Sequence, residues 1–418
     1  MIESIRGTRD ILPEDMVRWR YLEQVAEEVF SRYGYRLLRT PLCEKTELFA
    51  RAVGETTDIV EKEMYTFPDR GGESLTLRPE GTAGVVRAFI QHGKSRELPW
   101  KVYYVGPMFR YERPQKGRQR QFHQIGCELF GPEGPLADAE MMALVLRFLE
   151  QVGLGDKVVL EVNSLGCPQC RPGFRDVLLP ALHARVGELC PLCVQRLERN
   201  PLRVLDCKNE ACHAVALAAP RMLDHLCQGC QEHFQTLLGL LTTLALPHRV
   251  NPLMVRGLDY YTRTAFEATT THLGAQNAVA AGGRYDGLVA TMGGPATPAV
   301  GFAMGLERLA LLLEERPWRE PAPGVFVSAM GAAAEALGLR LAEALRGDGW
   351  AVELHLAGGS LKSQMKRAGR SEAPLTLVIG AQEVEQGRVL LKDMASGQQS
   401  EVALDEVVAA VRRHLQAR

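Results

Sequence analysis

The chain has almost no excess of either charge: 49 Lys plus Arg face 50 Asp plus Glu, a formal net charge of -1 over 418 residues. So even a balance excludes a general polyanion binder, and any nucleic-acid contact has to come from local basic patches. Long apolar runs are missing too. None approaches the roughly 20 residues that span a bilayer. The opening MIESIRGTRDILPEDM mixes acids and arginines and lacks the apolar stretch of a secretory signal. Internal repeats and low-complexity tracts are absent as well. These absences together predict a cytoplasmic chain with no membrane partner.

What is present is ordinary in bulk, with 46% hydrophobic and 24% charged residues, enough to bury a sizeable core. The length suits two or three domains at roughly 150 residues each. The ten cysteines are not ordinary. Only Cys43 and Cys127 lie outside the stretch from Cys167 to Cys230. In a cytosolic chain thiols stay reduced, so clustering points to metal ligation.

Pro13 followed by Glu14 and Asp15 starts a helix whose apolar positions recur at helical spacing. SLTLRPEGT is a strand running into a turn, and AGVVRAFIQHG is the helix after it. KVYYVGPMFRYE and QRQFHQIGCELFG form a long hairpin around the loop RPQKGR. A helix over 137–153 and the strand KVVLEVN follow, then the cysteine-rich helical stretch 164–235. Strands return with TRTAFEATT, QNAVAAGGRYDGL and VGFAMG. RPWREPAPG, with three prolines in nine residues, marks the clearest boundary. Beyond it strands and helices alternate, which predicts a small α/β domain with parallel strands. The boundaries expected are 1–163 and 236–316 for the two parts of a core, 164–235 for an insertion, 317–324 for a linker and 325–418 for the last domain.

Five segments can carry chemistry. Between Arg110 and Arg120 stand five cations and one acid, a balance that suits polyphosphate or an RNA backbone, or merely a solvated hairpin. On the following strand Phe122, Gln124 and Glu128 share one face, so two of them can hydrogen-bond a polar substrate in a pocket. RGLDYYT puts Arg256 beside Tyr260 and Tyr261; Arg256 either neutralises a phosphate or pairs with Asp259. GGRYDGL, with Tyr285, lets backbone approach a ligand or simply turns. GFAMGLERL places Arg308 near a helix start, where it can stack on a flat ligand or sit at the surface. TLRPEGT puts Glu80 at a strand end, as a grip for an ammonium group or as a turn acid.

In this order, the segments match one family. From IRGTRDILP to GSLKSQMKRAGR and LLKDM, the chain resembles the histidyl-tRNA synthetases, which are class II aminoacyl-tRNA synthetases. FRYERPQKGRQRQFHQIGCELFG, RGLDYYTRTAFE and GGRYDGL are the most specific matches, and YGYRLLRTPL is similar to the first class II motif, at the dimer interface. The resemblance implies an α+β fold: an antiparallel class II sheet with flanking helices, a helical Cys-rich insertion and a C-terminal α/β anticodon-binding domain. It also implies a homodimeric ligase that activates L-histidine with ATP and Mg2+ and loads it onto tRNA(His). Histidine binding would fall to Glu80, Gly81, Thr82, Arg110, Gln124, Glu128, Arg256, Tyr260, Tyr261 and Tyr285. ATP binding would fall to Arg110, Glu112, Arg118 and Arg308, with Arg110 and Arg256 as the catalytic pair. A histidine-binding regulatory paralogue of ATP phosphoribosyltransferase is the alternative within the family; it typically lacks the terminal domain and has degraded ATP-site motifs.

On SLKSQMKRAGR, Lys362, Lys366 and Arg370 recur every four residues and make one positive face for tRNA. The insertion carries CPQC at 167–170, CPLC at 190–193, Cys207, Cys212, and CQGC at 227–230. Cys167, Cys170, Cys190, Cys193, Cys207, Cys212, Cys227 and Cys230 suffice for two four-thiolate zinc sites, with His213, His225 and His233 as possible substitutes. Eight reduced thiols without metal are the plainer reading.

Overall fold

A computed structural model of the chain describes residues 2–55, 57–273 and 277–416. It divides into two units, Met1–Trp318 and Arg319–Arg418. Among the described residues no helix is long and apolar enough to cross a membrane.

The first unit is built on the hairpin Trp100–Phe109 and Gln121–Phe130, paired antiparallel from Trp100↔Phe130 to Phe109↔Gln121. Around it grows an eight-stranded sheet. Its order is Arg36–Leu37, Trp100–Phe109, Gln121–Phe130, Ala299–Gly305, Ala278–Arg284, Thr262–Thr269, Val159–Ser164, His248–Val250. Only the two edge pairs are parallel. The segment YGYRLLRTPL contributes just Arg36–Leu37 as strand, laid on the Trp100–Phe109 edge.

Both faces of this sheet are covered, and the pleat decides what each receives. Ile125, Cys127 and Leu129 turn to one side, into a core formed with helices Pro13–Arg32, Pro135–Gln151, Gln228–Thr243 and Leu306–Leu312. Tyr104 and Phe130 face the other side, with Phe89 of helix Thr82–Gln91 and Phe174 of the cysteine-rich segment. Gln124, Gly126 and Glu128 have the parity of Phe130, so the polar positions of that strand sit on the side away from the large helical core.

A buried ion pair locks the first unit across 146 residues. Arg284 Nη2 lies 2.5 Å from Asp138 Oδ1 with both side chains fully buried, and Thr264 Oγ1 donates to Asp138 Oδ2 at 2.5 Å. Arg284 spends its remaining donors on the carbonyls of Pro132 and Gly134 and on Asp286. Satisfying every donor is what makes such a pair tolerable in low dielectric. It fixes the end of strand Ala278–Arg284, and therefore its neighbour Tyr285, relative to the helical core.

Cysteine-rich helices Cys170–His183, Pro191–Arg199 and Glu210–Ala218 lead to Gln228–Thr243, which runs through position 235 and packs on Pro135–Gln151. In the second unit a five-stranded sheet has the order Val352–Leu354, Val325–Ala329, Leu375–Ile379, Arg388–Asp393, Gln399–Ala403. The first three strands are parallel, but the last two pair antiparallel, which corrects the all-parallel expectation. The turn from Asp393 to Gln398 is far too short for the crossover a parallel pair requires.

Candidate active site

A cavity of about 310 Å³ opens on the sheet face that carries Gln124. Its wall includes Glu80, Thr82, Arg110, Glu112, Arg118, Gln124, Arg256, Tyr260, Tyr261 and Arg308. Three expected residues stand behind that wall: Gly81, Glu128 and Tyr285 are not on its lining. Residues spread over 229 positions therefore converge on one space, and they fall into two chemically distinct groups.

The first group is acidic and aromatic. Glu80 sits at the start of helix Thr82–Gln91, and its carboxylate accepts the backbone N–H groups of Thr82 at 2.6 Å and Ala83 at 2.8 Å. It is a helix-capping acid and a wall residue at once. Burial raises its pKa, against the lowering effect of those two amides. Glu128 accepts the Thr82 hydroxyl at 2.7 Å and the Tyr285 hydroxyl at 2.5 Å. Burial pushes its pKa up to about 8, against both hydroxyl hydrogen bonds. Tyr260 packs on Tyr261 with centroids 4.6 Å apart and on Tyr285 at 5.6 Å. The Gln124 Oε1 atom is buried and has no hydrogen-bond partner among the described residues, an acceptor beside the cavity.

Three glycines make room for this group. A Cβ on Gly301 would fall inside the Glu128 carboxylate, and one on Gly81 or Gly126 would collide with the Tyr104 ring. Gly81 therefore serves the site sterically, by letting Tyr104 through.

The second group is cationic. Arg118 Nε pairs with Glu112 Oε2, and Arg110 Nη1 lies 3.8 Å from Glu112 Oε1. Arg308 donates to the carbonyls of Ala278 at 2.6 Å and Gly117 at 3.4 Å. Burial and then the charge of Arg118 push its pKa down, though a guanidinium stays charged at any ordinary pH. Arg256 pairs with Glu267 through Nη1, and its guanidinium lies 5.3 Å from the Tyr261 ring centroid. Asp259, three residues on, accepts from Asn200 at 3.0 Å, and the ion pair of Arg256 is with Glu267 of strand Thr262–Thr269.

Two arginines join the groups. Arg110 Nε donates to the Pro79 carbonyl, beside Glu80, while its Nη1 faces Glu112. Arg256 stands between Tyr261 and Glu267.

Tyr104, Glu267 and Phe122 also line the cavity. The first two had not been singled out. In KVYYVG both tyrosines are buried on opposite faces, so alternation alone could not choose Tyr104. Glu267 lies on the strand following RGLDYYT, and the isolated acid of TRTAFEATT was the available signal.

The eight insertion cysteines form two groups, Cys167/Cys170/Cys227/Cys230 and Cys190/Cys193/Cys207/Cys212. Within each, all four sulfurs lie within 4.8 Å of one another. None of the three histidines considered as substitutes belongs to either group. His233 Nε2 lies 3.3 Å from Asp138, His225 packs on Phe174 at 5.6 Å, and His213 is exposed. In the second unit Lys362, Lys366 and Arg370 are exposed on helix Leu361–Arg370, which buries Gln364 and Ala368.

Comparison with known proteins bears on this geometry. The family profile described as histidyl-tRNA synthetase matches residues 7–309, and the anticodon binding domain profile matches residues 324–414. A histidine–tRNA ligase of Geobacter metallireducens is 51% identical over 411 residues, covering 98% of this chain and 99% of the relative. One from Anaeromyxobacter dehalogenans is 52% identical, covering 98% and 99%. The crystal structure of apo S. aureus histidyl-tRNA synthetase superposes with a TM-score of 0.82 at 37% identity, covering 98% of this chain and all of that one. A regulatory subunit lacking the terminal domain is disfavoured by such full-length agreement. The cavity, the terminal unit and the relatives concur: the chain belongs to the histidyl-tRNA synthetase family, the ATP-dependent ligases that charge tRNA with histidine.

Proposed function

We propose that the acidic–aromatic group holds L-histidine and the cationic group holds ATP with Mg2+. In the first step the histidine carboxylate attacks the α-phosphorus, giving histidyl-adenylate and pyrophosphate. In the second, the terminal ribose of tRNA(His) takes the histidyl group. Glu80 and Thr82 receive the α-ammonium group. Gln124, Tyr260 and Tyr261 meet the imidazole, which is both donor and acceptor when neutral, and Glu128 with Tyr285 supports them from behind. Arg118 holds the outer phosphates, Glu112 lies near the adenine and Arg308 lies over it.

One observation carries this reading. Arg110 and Arg256 stand at the junction of the two groups, where a substrate carboxylate and an α-phosphate would meet. Catalysis there is positioning and charge neutralisation, with no titrating protein base required. Exchange of labelled pyrophosphate into ATP tests it. Exchange is expected with histidine and with no other amino acid; exchange without histidine, or none at all, overturns the assignment.

The face formed by Lys362, Lys366 and Arg370 is proposed to lie along the tRNA backbone. Changing all three to glutamate is expected to raise the KM for tRNA by at least about tenfold and to flatten its salt dependence. Pyrophosphate exchange, which needs no tRNA, should stay unchanged. A homodimer through the first motif is proposed on the support of an open sheet edge at Arg36–Leu37 with Leu37 and Leu42 exposed. The two cysteine groups are proposed to hold structural zinc, supported by their four-sulfur grouping. The proposed compartment is the cytoplasm, in keeping with free thiols throughout.

A further inference from the structure

The loop carrying Arg256, Tyr260 and Tyr261 is gripped by residues that lie next to, or between, cysteines. Arg171, immediately after Cys170, donates through Nη2 to the Tyr261 carbonyl. Gly166, immediately before Cys167, accepts from the Thr262 hydroxyl at 3.1 Å and from the Arg263 amide at 2.8 Å. From the other group come Asn200 and Arg203, both between Cys193 and Cys207. Asn200 Nδ2 donates to Asp259 at 3.0 Å, and Arg203 Nη1 reaches the Arg256 carbonyl at 3.4 Å. Arg203 lies so near the loop that a Cβ on Gly257 would meet its Nη1 at 2.9 Å.

The sulfur geometry is that of a tetrahedral metal cage. A zinc–sulfur bond of about 2.3 Å places neighbouring sulfurs of a tetrahedron about 3.8 Å apart. Here Cys167 Sγ lies 3.7 Å from Cys170 Sγ and 3.8 Å from Cys227 Sγ, while Cys190 Sγ lies 4.0 Å from Cys207 Sγ. These spacings are about twice a disulfide bond, and every cysteine is free. Backbone amides also point at the sulfurs: Cys227 N at Cys170 Sγ, 3.2 Å, and Cys190 N at Cys212 Sγ, 3.1 Å. Four sulfurs converging on one centre in this way match the donor set of a structural zinc site.

We infer that each four-cysteine group binds one Zn2+ ion and that the two ions, acting through Arg171 on one side and Asn200 with Arg203 on the other, hold the Arg256–Tyr261 loop in its histidine-binding form. The inference rests on the histidine site proposed above. Zinc here takes no part in bond making. Arg171, Asn200 and Arg203 are positioning residues, and the metals keep their backbone in place.

The test uses the full chain purified without chelator. Elemental analysis is expected to find two zinc ions per chain, and cobalt substitution to give the absorption of tetrahedral thiolate sites. Cys170→Ser and Cys193→Ser should each retain one ion, while Arg171→Ala retains both. All three should raise the KM for histidine by about tenfold or more, and by clearly more than the KM for ATP. Amide exchange across residues 256–262 should quicken in all three. If a cysteine variant does not fold, stripping and restoring zinc in the wild type makes the same comparison. Metal-free protein with eight reactive thiols overturns the inference, as does zinc loss that leaves both histidine KM and loop protection unchanged. Zinc-free protein whose histidine-dependent exchange keeps the wild-type histidine KM sinks this inference and leaves the assigned reaction standing. Zinc-loaded protein without histidine-dependent exchange sinks the reaction itself.

Discussion

Replacing Arg256 by alanine is expected to slow histidine-dependent pyrophosphate exchange about a thousandfold, a loss of about 4 kcal/mol in transition-state stabilisation. The expectation follows from where the guanidinium is held. Strand Thr262–Thr269 supplies Glu267, which orients Arg256 through Nη1, and Tyr261 supplies a ring face. Negative charge builds on the α-phosphate as the new bond forms, and a cation fixed beforehand needs no reorganisation to meet it. Among the described residues its buried Nε has no hydrogen-bond partner, a donor that a bound phosphate can take up. Alanine also strands Glu267, whose pKa burial already raises, and some stability should be lost with it. Arg256→Gln separates the two effects, because the amide still donates to Glu267 while the charge is gone. The glutamine variant should melt near the wild type and remain almost as slow as alanine. Near-normal exchange in either variant removes Arg256 from the reaction.

The parts of this site that the sequence displayed are those set by local periodicity. Gln124 and Glu128 fall on one face because strand residues alternate, and the hairpin that aligns them is closed by a loop short enough to read directly. Glu80 at a strand end and Arg308 at a helix start were legible for the same reason. What stayed hidden depends on contacts between distant segments. Asp138 and Arg284 are 146 residues apart and gave no sign of each other before the sheet was assembled. Partition of the cysteines was equally hidden. Linear order alone does not say that the first and last knuckles pair around the middle four, as they do. Strand Gln399–Ala403 escaped because it is an exposed edge, and an edge strand of polar residues carries no apolar alternation.

Glu128→Gln should produce the largest change in pH behaviour of any single substitution here. The wild-type carboxyl has a folded pKa of about 8, raised from 4.5 by complete burial. A carboxyl raised in this way binds its proton more tightly folded than unfolded. Between the unfolded value and about pH 8 the native state therefore holds the extra proton, and stability falls as pH rises through that window. Glutamine fits the same space and can still meet the Thr82 and Tyr285 hydroxyls, since each hydroxyl both donates and accepts. It does not ionise, so the decline of melting temperature from pH 5 to pH 8 should be shallower than in the wild type. Recognition of the substrate should suffer in the opposite sense. In the proposed site, the buried carboxyl behind the pocket wall gives way to an amide that changes the donor and acceptor order offered through Thr82 and Tyr285 toward the imidazole. Mismatched buried polar partners cost about a hundredfold or more in discrimination. The KM for histidine is expected to rise by that order with the KM for ATP little changed. A variant that melts with the wild-type pH slope shows that the raised carboxyl is not what sets it, and an unchanged histidine KM removes Glu128 from the imidazole pocket.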